Sequence, residues 1–389
     1  MKIHFITGAT GFVGKYLAKA LLERGENVWV IVRPLNDASA QIRAKEMFRD
    51  YLSTWPNTFR VIDGDIMIEN LGVADSIFKE SKKHEVIFWH LAANLSFASE
   101  NRADVQKTNY TGTVNVVNFA NRVADKFMHM STAYVCGNAS SFSETELYKD
   151  QKFRNHYEKS KFEAEKYVRE TCKLPHTIFR PSVIIGDAYS GKAEGCTFGY
   201  YRYAFMFHFL KKQIIKVLQK NGKAALCLKF MGTKYNPEED TLMAPWLIIP
   251  CPKNGRVDLV TVDYVVKSMI GLYEKNLQSV TVHLTHDNPP AFRFLLHAVL
   301  YDLGFRKMKL FSVPVWIFRA TVACFYFLAL PLRKYVKSVM WYVPYFTEPC
   351  EFERTTIENY LENPPEISRE LIARINAYAK ENILDHIEI

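Results

Sequence analysis

The sequence predicts an α/β fold, a doubly wound parallel sheet with a smaller, mainly helical C-terminal lobe, on three observations. A strand, Lys2 to Ile6, runs straight into a glycine loop and then into an amphipathic helix. Apolar strand-like runs alternate with helical patterns through the first half of the chain, as expected of parallel strands joined by crossover helices. From Ala193 onward the pattern changes to long aromatic, apolar and basic stretches. At 389 residues the chain exceeds one typical domain. The expected division is residues 1–186 for the sheet domain, with 257–275 returning to it, and 187–256 with 276–389 for the lobe.

Taken in order, the loop reads Thr7-Gly8-Ala9-Thr10-Gly11-Phe12-Val13-Gly14, and the helix after it spans Lys15 to Arg24, with Tyr16, Leu17, Ala20 and Leu21 spaced to pack on a sheet. Glycines at this spacing permit a tight turn, close approach of a pyrophosphate and tight helix–sheet packing, with the anion on the helix's bare N–H groups. The second strand, Val28 to Val32, runs into Arg33-Pro34. A carboxylate there would bind a ribose 2′-hydroxyl, whereas arginine accommodates a 2′-phosphate, so Arg33 favours NADP(H) over NAD(H). Asp37, past the proline turn, is the counterargument. Strand Val86 to Trp89 ends in His90-Leu91-Ala92-Ala93, Thr108 to Thr113 opens a helix, and strand Phe127 to Met130 ends in Ser131-Thr132-Ala133-Tyr134-Val135-Cys136-Gly137. Tyr157-Glu158-Lys159-Ser160-Lys161 opens a helix to Glu170, and its first and last residues share a face. An ammonium beside a phenol favours the phenolate, so Lys161 is expected to lower the Tyr157 pKa.

The G-x-x-G-x-x-G loop followed by Y-x-x-x-K resembles the extended short-chain dehydrogenase/reductase superfamily, whose fold is a Rossmann doubly wound sheet. The resemblance implies that Thr132 (Ser131 in reserve), Tyr157 and Lys161 are catalytic, with Tyr157 exchanging the proton and Lys161 holding the nicotinamide ribose. It implies a cofactor site of Thr7, Gly8, Thr10, Gly11, Phe12, Val13, Gly14 and Arg33, then Asp65 and Ile66 beside the adenine. Leu91, Ala92 and Ala93 would lie along the adenosine side, Asn109 would serve structure and proton relay, and Pro181 and Val183 of the R-P-x-x-x-x-G turn would line the nicotinamide with Tyr157 and Lys161. Within the superfamily, His90-Leu91-Ala92-Ala93-Asn94-Leu95-Ser96-Phe97, Ser131 to Val135, Tyr157 to Lys166 and Arg180 to Asp187 are similar to the fatty acyl reductase and thioester reductase branch, the male-sterility type, over roughly residues 1–275. That branch implies NADPH-dependent reduction of an apolar acyl thioester, carried on coenzyme A or a carrier protein, to aldehyde or alcohol. A carbonyl reductase or hydroxy-dehydrogenase on a lipid, terpenoid or polyketide ketone, an epimerase, and a non-catalytic NADP(H) sensor use the same parts. Members often dimerise through two helices of the nucleotide domain.

Seven scattered cysteines without metal-ligand spacing predict reduced thiols, a cytoplasmic setting and no metal site. Met1 leads directly into the first strand, so no signal peptide is expected. The net charge of +9 comes without a recognition motif, which argues against nucleic acid. Phe198 to Leu210 is densely aromatic and is followed by Lys211, Lys212, Lys216 and Lys220. This pattern suits a buried helix of the lobe, a wall for an apolar substrate or a membrane-facing surface. The run Val313 to Leu332, interrupted by Arg319 and ended by Pro331, leaves an uncharged stretch of only about a dozen residues, short of the ~20 a spanning helix needs. With Arg333, Lys334, Lys337 and the aromatic Val339 to Phe346 beyond it, the run suits either an in-plane membrane contact or a buried helix. Asp263 is expected to cap a helix returning to the nucleotide domain.

Overall fold

Strands built almost wholly of apolar residues must be covered on both faces, and that requirement organises the first of two compact units. The computed structural model describes residues 1–34, 42, 47–220, 222–277, 279–328, 337 and 340–387; Asp37, the 329–332 part of the second apolar run, and Arg333 and Lys334 beyond it lie outside them. The first unit comprises Met1–Ser182, Val262–Asp287 and Cys350–Pro364. Its sheet contains β1 (Lys2–Thr7), β2 (Asn27–Val32), β3 (Phe59–Asp63), β4 (Glu85–His90), β5 (Lys126–Met130), β6 (His176–Pro181) and β7 (Val280–Leu284). The order is β7-β6-β5-β4-β1-β2-β3, with every pair parallel. This is the Rossmann-like topology. The direction of winding reverses between β1 and β4, and in open parallel sheets ligands bind beyond the carboxyl ends of the strands at such a point.

Aromatic rings fill the interior: Phe5, Trp29, Phe88, Phe119 and Phe127 belong to one buried cluster, with Phe5 stacked on Phe88 and Trp29 and Phe119 edge-on. Three helices matter for the site: α1 (Phe12–Glu23), α2 (Gly112–Val123) and α3 (His156–Thr171). The sequence places the start of α1 three residues late. Thr108 to Thr113 does not open a helix: the chain is already helical from Arg102, and Lys107–Thr111 forms a wide π turn that leads into α2. The wide turn carries Asn109, whose amide bonds to two other segments described below, and such turns favour functional positions. Asp263 lies inside the first turn of helix Val262–Glu274 rather than capping it. The segments grouped with the sheet differ from the expected 257–275, because β7 and residues 350–364 belong there and strand Leu259–Thr261 does not.

The second unit comprises Val183–Thr261, Asn288–Pro349 and Pro365–Ile389. Strand Val183–Ile185 pairs in parallel with Leu259–Thr261. Helix Tyr200–Gln219 buries Tyr200, Tyr201, Ala204 and Phe207, and Lys211 also turns inward to the Asp240 carboxylate at 2.7 Å. Helix Val315–Leu328 is apolar, yet Trp316 is 71% exposed. Among the described residues no helix is long and apolar enough to cross a membrane.

Candidate active site

The glycine loop sits where β1 ends. Gly8 has φ +77°, and a Cβ on it would meet the Ala92 nitrogen at 2.6 Å, so only glycine lets the loop lie against the Leu91–Ala93 segment leaving β4. A Cβ on Gly14 would meet the Gly8 oxygen at 2.1 Å, which is the close packing of α1 on the loop. Gly11 is exposed at the N-cap of α1, where no side chain caps the helix and no acidic residue occupies the first turn. Thr10, Phe12 and Val13 frame this bare, electropositive terminus, which fits a dinucleotide's pyrophosphate. Thr7 does something else. Its hydroxyl is bonded to His90 Nδ1 at 2.8 Å, which ties β1 to β4.

Arg33 lies exposed immediately after β2, on the same edge of the sheet. Asp65 spends one carboxylate oxygen on the Met67 N–H at 2.9 Å, and Ile66 packs under α2 at Gly112. Asn109 clamps two segments: its oxygen accepts from Asn94 N at 2.7 Å, and its amide donates to Asn94 O at 3.0 Å and Ser160 Oγ at 2.9 Å. Pro181 ends β6, while Val183 belongs to the second unit, its N–H donating to Asp258 O at 3.3 Å.

The start of α3 is set by sequence-local chemistry. Asn155 accepts from Glu158 N at 2.9 Å, and the Glu158 carboxylate reaches back to Arg154 N at 2.8 Å, two donors satisfied reciprocally. This fixes Tyr157 in the first turn, where its hydroxyl is a hydrogen-bond partner of Thr132. Thr132 is 4% exposed and also reaches Pro181 O at 3.4 Å. Ser131, the reserve candidate, is committed elsewhere: its hydroxyl donates to Glu165 at 2.6 Å. Lys161, one turn beyond Tyr157, donates to Met130 O at 2.6 Å, and burial lowers its pKa to about 8 while Glu165 opposes the fall. The expected depression of the Tyr157 phenol is not found. Burial pushes it well above the usual tyrosine range and outweighs the Thr132 hydrogen bond. His90 is held neutral by burial, with Lys161 adding to the effect, so the strand ends beneath the site carry no imidazolium.

Two parts escaped the sequence reading. The Phe97 ring lies 5.6 Å from that of Tyr157, giving the phenol an apolar neighbour. Behind Lys161, Glu165 holds Arg180, whose Nη2 donates at 2.7 Å, and Arg169. Burial, the largest single influence, would raise the Glu165 carboxyl, but the charge and hydrogen bond of Arg180, the Arg169 charge and the Ser131 hydrogen bond together hold it below its usual value. The signal was legible: Glu165 repeats the helical spacing of Tyr157 and Lys161 once more, and Arg180 precedes the proline of the turn.

The family model for male sterility protein, an NAD-binding family, matches residues 6–269. The chain belongs to the male sterility family. Extended short-chain dehydrogenase/reductase architecture and NAD(P)-dependent oxidoreductase chemistry characterise this family. The chain is 28% identical over 208 residues to the nonribosomal peptide synthetase asaC of Aspergillus flavus, an alignment that covers 49% of this chain and 20% of that protein. It is 32% identical over 158 residues to fatty acyl-CoA reductase 8 of Arabidopsis thaliana, covering 35% of this chain and 32% of that one. The matched parts therefore span a third or less of these relatives' own lengths. The terminal R domain of the myxalamid PKS-NRPS biosynthetic pathway superposes over 100% of this chain and 93% of its own, with a TM-score of 0.73 at 19% identity. This superposition shows the shared fold. The N-terminus of α1 follows β1, and Thr132 follows β5, so both stand beyond the carboxyl ends of strands in the same parallel sheet.

Proposed function

We propose that the chain is an NADPH-dependent reductase of apolar acyl thioesters, carried on coenzyme A or on a carrier protein, giving an aldehyde or, after a second round, an alcohol. The observation that carries this reading is the Thr132–Tyr157 hydrogen bond with Lys161 one turn on and Phe97 against the phenol ring. NADPH, held by its pyrophosphate at Gly11–Gly14 and by its 2′-phosphate at Arg33, supplies a hydride when bound. Thr132 holds the substrate's carbonyl oxygen in reach of the tyrosine. Tyr157, whose burial keeps it protonated at neutral pH, gives its proton to that oxygen as negative charge develops there, acting as the general acid. Lys161 holds the nicotinamide ribose, and its ammonium stabilises the phenolate left behind. Phe97 presents an apolar surface to the acyl chain. Family membership and the thioester-reducing chemistry named among the relatives support the substrate class. The exposed Trp316 on the apolar helix Val315–Leu328 supports a peripheral contact with membrane.

NADPH oxidation is measured with a long-chain acyl-CoA, the matching aldehyde and a bulky ketone, each repeated with NADH. Turnover of the acyl-CoA, preferring NADPH and lowered roughly 10²–10⁴-fold in Tyr157→Phe with cofactor affinity unchanged, is expected. Activity on the ketone alone, or full turnover by Tyr157→Phe, overturns the proposal.

A further inference from the structure

All seven cysteines are free, and two of them meet. Cys136 ends the short turn Ala133–Cys136 that follows Thr132, and it is fully buried. Cys350 is half-buried and stands at the point where residues 350–364 rejoin the sheet unit. Its place is set by backbone pairing: strand Glu351–Phe352 runs parallel to Ser141–Phe142, with Glu351 N donating to Ser140 O at 2.9 Å and Glu353 N to Phe142 O at 3.0 Å. Val135, Cys136 and Phe142 form one buried apolar cluster, against which Cys350 and Phe352 pack. Tyr134 in the same turn meets the Phe352 ring edge-on at 6.5 Å.

The environment distinguishes this pair from the other thiols. The neighbouring Cys350 thiol, and after it the Arg154 guanidinium, draw the Cys136 thiol downward against burial, while the Cys136 neighbour raises Cys350. The two S–H groups donate to backbone, Cys350 to Glu351 O at 3.8 Å and Cys136 to Gly137 O at 3.5 Å. Burial alone pushes Cys172, Cys196 and Cys251 upward. A thiolate is the nucleophile towards peroxide, and a second thiol at contact distance resolves the product before further oxidation.

We propose that Cys136 and Cys350 form a reversible disulfide under peroxide, clamping the returning 350–364 segment to the turn that carries Thr132. The Cys136 thiolate attacks one peroxide oxygen. The O–O bond breaks, the departing hydroxide takes up a proton as water, and Cys136 becomes a sulfenic acid. The Cys350 thiol then attacks the sulfenic sulfur: an S–S bond forms, the S–O bond breaks, and a second water leaves with the Cys350 proton. Two thiols lose two electrons and the peroxide gains them. A dithiol reverses the step by exchange. The bond closes a very long chain loop, so the oxidised protein gains stability by restricting the unfolded chain.

The test treats the full chain with hydrogen peroxide, counts thiols under denaturing conditions, maps the linked peptide by mass spectrometry and compares melting temperatures; none of these readouts needs a substrate. The expected result is a fall from seven thiols to five, one Cys136–Cys350 peptide, a melting temperature higher by several degrees and reversal by dithiothreitol. In Cys350→Ser the sulfenic acid has no resolving partner, so dimedone should label Cys136. Cys136→Ser should leave Cys350 unlabelled. A thiol count that stays at seven, a linked peptide from another pair, or no dimedone adduct in a folded Cys350→Ser overturns the proposal. The peptide map of the unmutated chain decides the matter should either variant fail to fold.

Discussion

Lowering the pH from 7 to 5 should destabilise the sheet unit through its buried imidazoles, and His283 shows why. Its Nδ1 meets Glu353 O at 2.8 Å, and a carbonyl can only accept, so Nδ1 carries the proton and Nε2 accepts from Arg180 Nη1 at 3.1 Å. Protonating Nε2 would set an N–H against a guanidinium. Burial first, and the Arg180 charge second, hold the ring at about 3. Burial holds His4 and His90 at about 3 as well, with smaller additions from Lys2 and Lys161. These folded-state values lie below the ordinary 6.5, so the unfolded chain takes up protons first. The stability that these rings contribute is therefore full above about pH 6.5 and is lost as pH falls from there towards 3. Each ring accounts for about 2 kcal/mol between pH 7 and 5, and the three together for about 6 kcal/mol, comparable with the ~5–15 kcal/mol of a whole domain. The assay is urea unfolding followed by tryptophan fluorescence, for which Trp89 is well placed, since its indole N–H donates to His4 Nδ1 at 2.9 Å. At a slope of about 3 kcal/mol per molar, the midpoint should fall by about 2 M from pH 7 to 5. His283→Gln should cut the loss to about 4 kcal/mol. Equal midpoints at the two pH values, or a His283→Gln variant with an unchanged pH response, would refute the reasoning.

With Lys161 at about 8, kcat/KM for reduction should fall about tenfold per pH unit above that value as the ammonium is lost; a flat profile to pH 10 would remove the lysine from the mechanism. Gly8→Ala places a methyl on the Ala92 backbone at positive φ and should cost about 3 kcal/mol, read as a melting temperature lower by roughly 6–12 °C, with NADPH no longer protecting it. Glu165→Gln leaves Arg180 and Arg169 without their buried carboxylate and should cost about 3–5 kcal/mol by urea unfolding. Glu163→Gln, whose partner Lys159 is largely solvated, should cost under ~1 kcal/mol.

The parts legible in the sequence are those in which function or topology demands local residues. The glycine loop is one, because positive φ and backbone-on-backbone contact at Gly8 exclude every other residue. The start of α3 is another: Asn155 and Glu158 satisfy its first N–H groups from within four residues, so Tyr157 and Lys161 stand on a helix that the local chain specifies. Arg33 was also legible, since its position follows from where β2 ends. Less legible was the choice between Ser131 and Thr132. Adjacent residues leaving a strand point to opposite sides, and only the presence of Glu165 on one side and Tyr157 on the other separates them. The Tyr157 acidity was misjudged for a related reason. Helical spacing reveals that Lys161 shares its face, but not that burial outweighs any charge there.

The amino-acid sequence by itself determined the doubly wound sheet, the electropositive N-terminus of α1 and the start of the helix that carries Tyr157 and Lys161, because periodicity, glycine spacing and capping act over a few residues. Tertiary structure alone decided what those residues experience. His283 becomes a base facing Arg180, Ser131 a support for Glu165, and Cys136 a thiol beside Cys350, through partners 34 to 214 positions away in the chain. Burial and pair electrostatics depend on distance in space, and only the folded chain sets that distance.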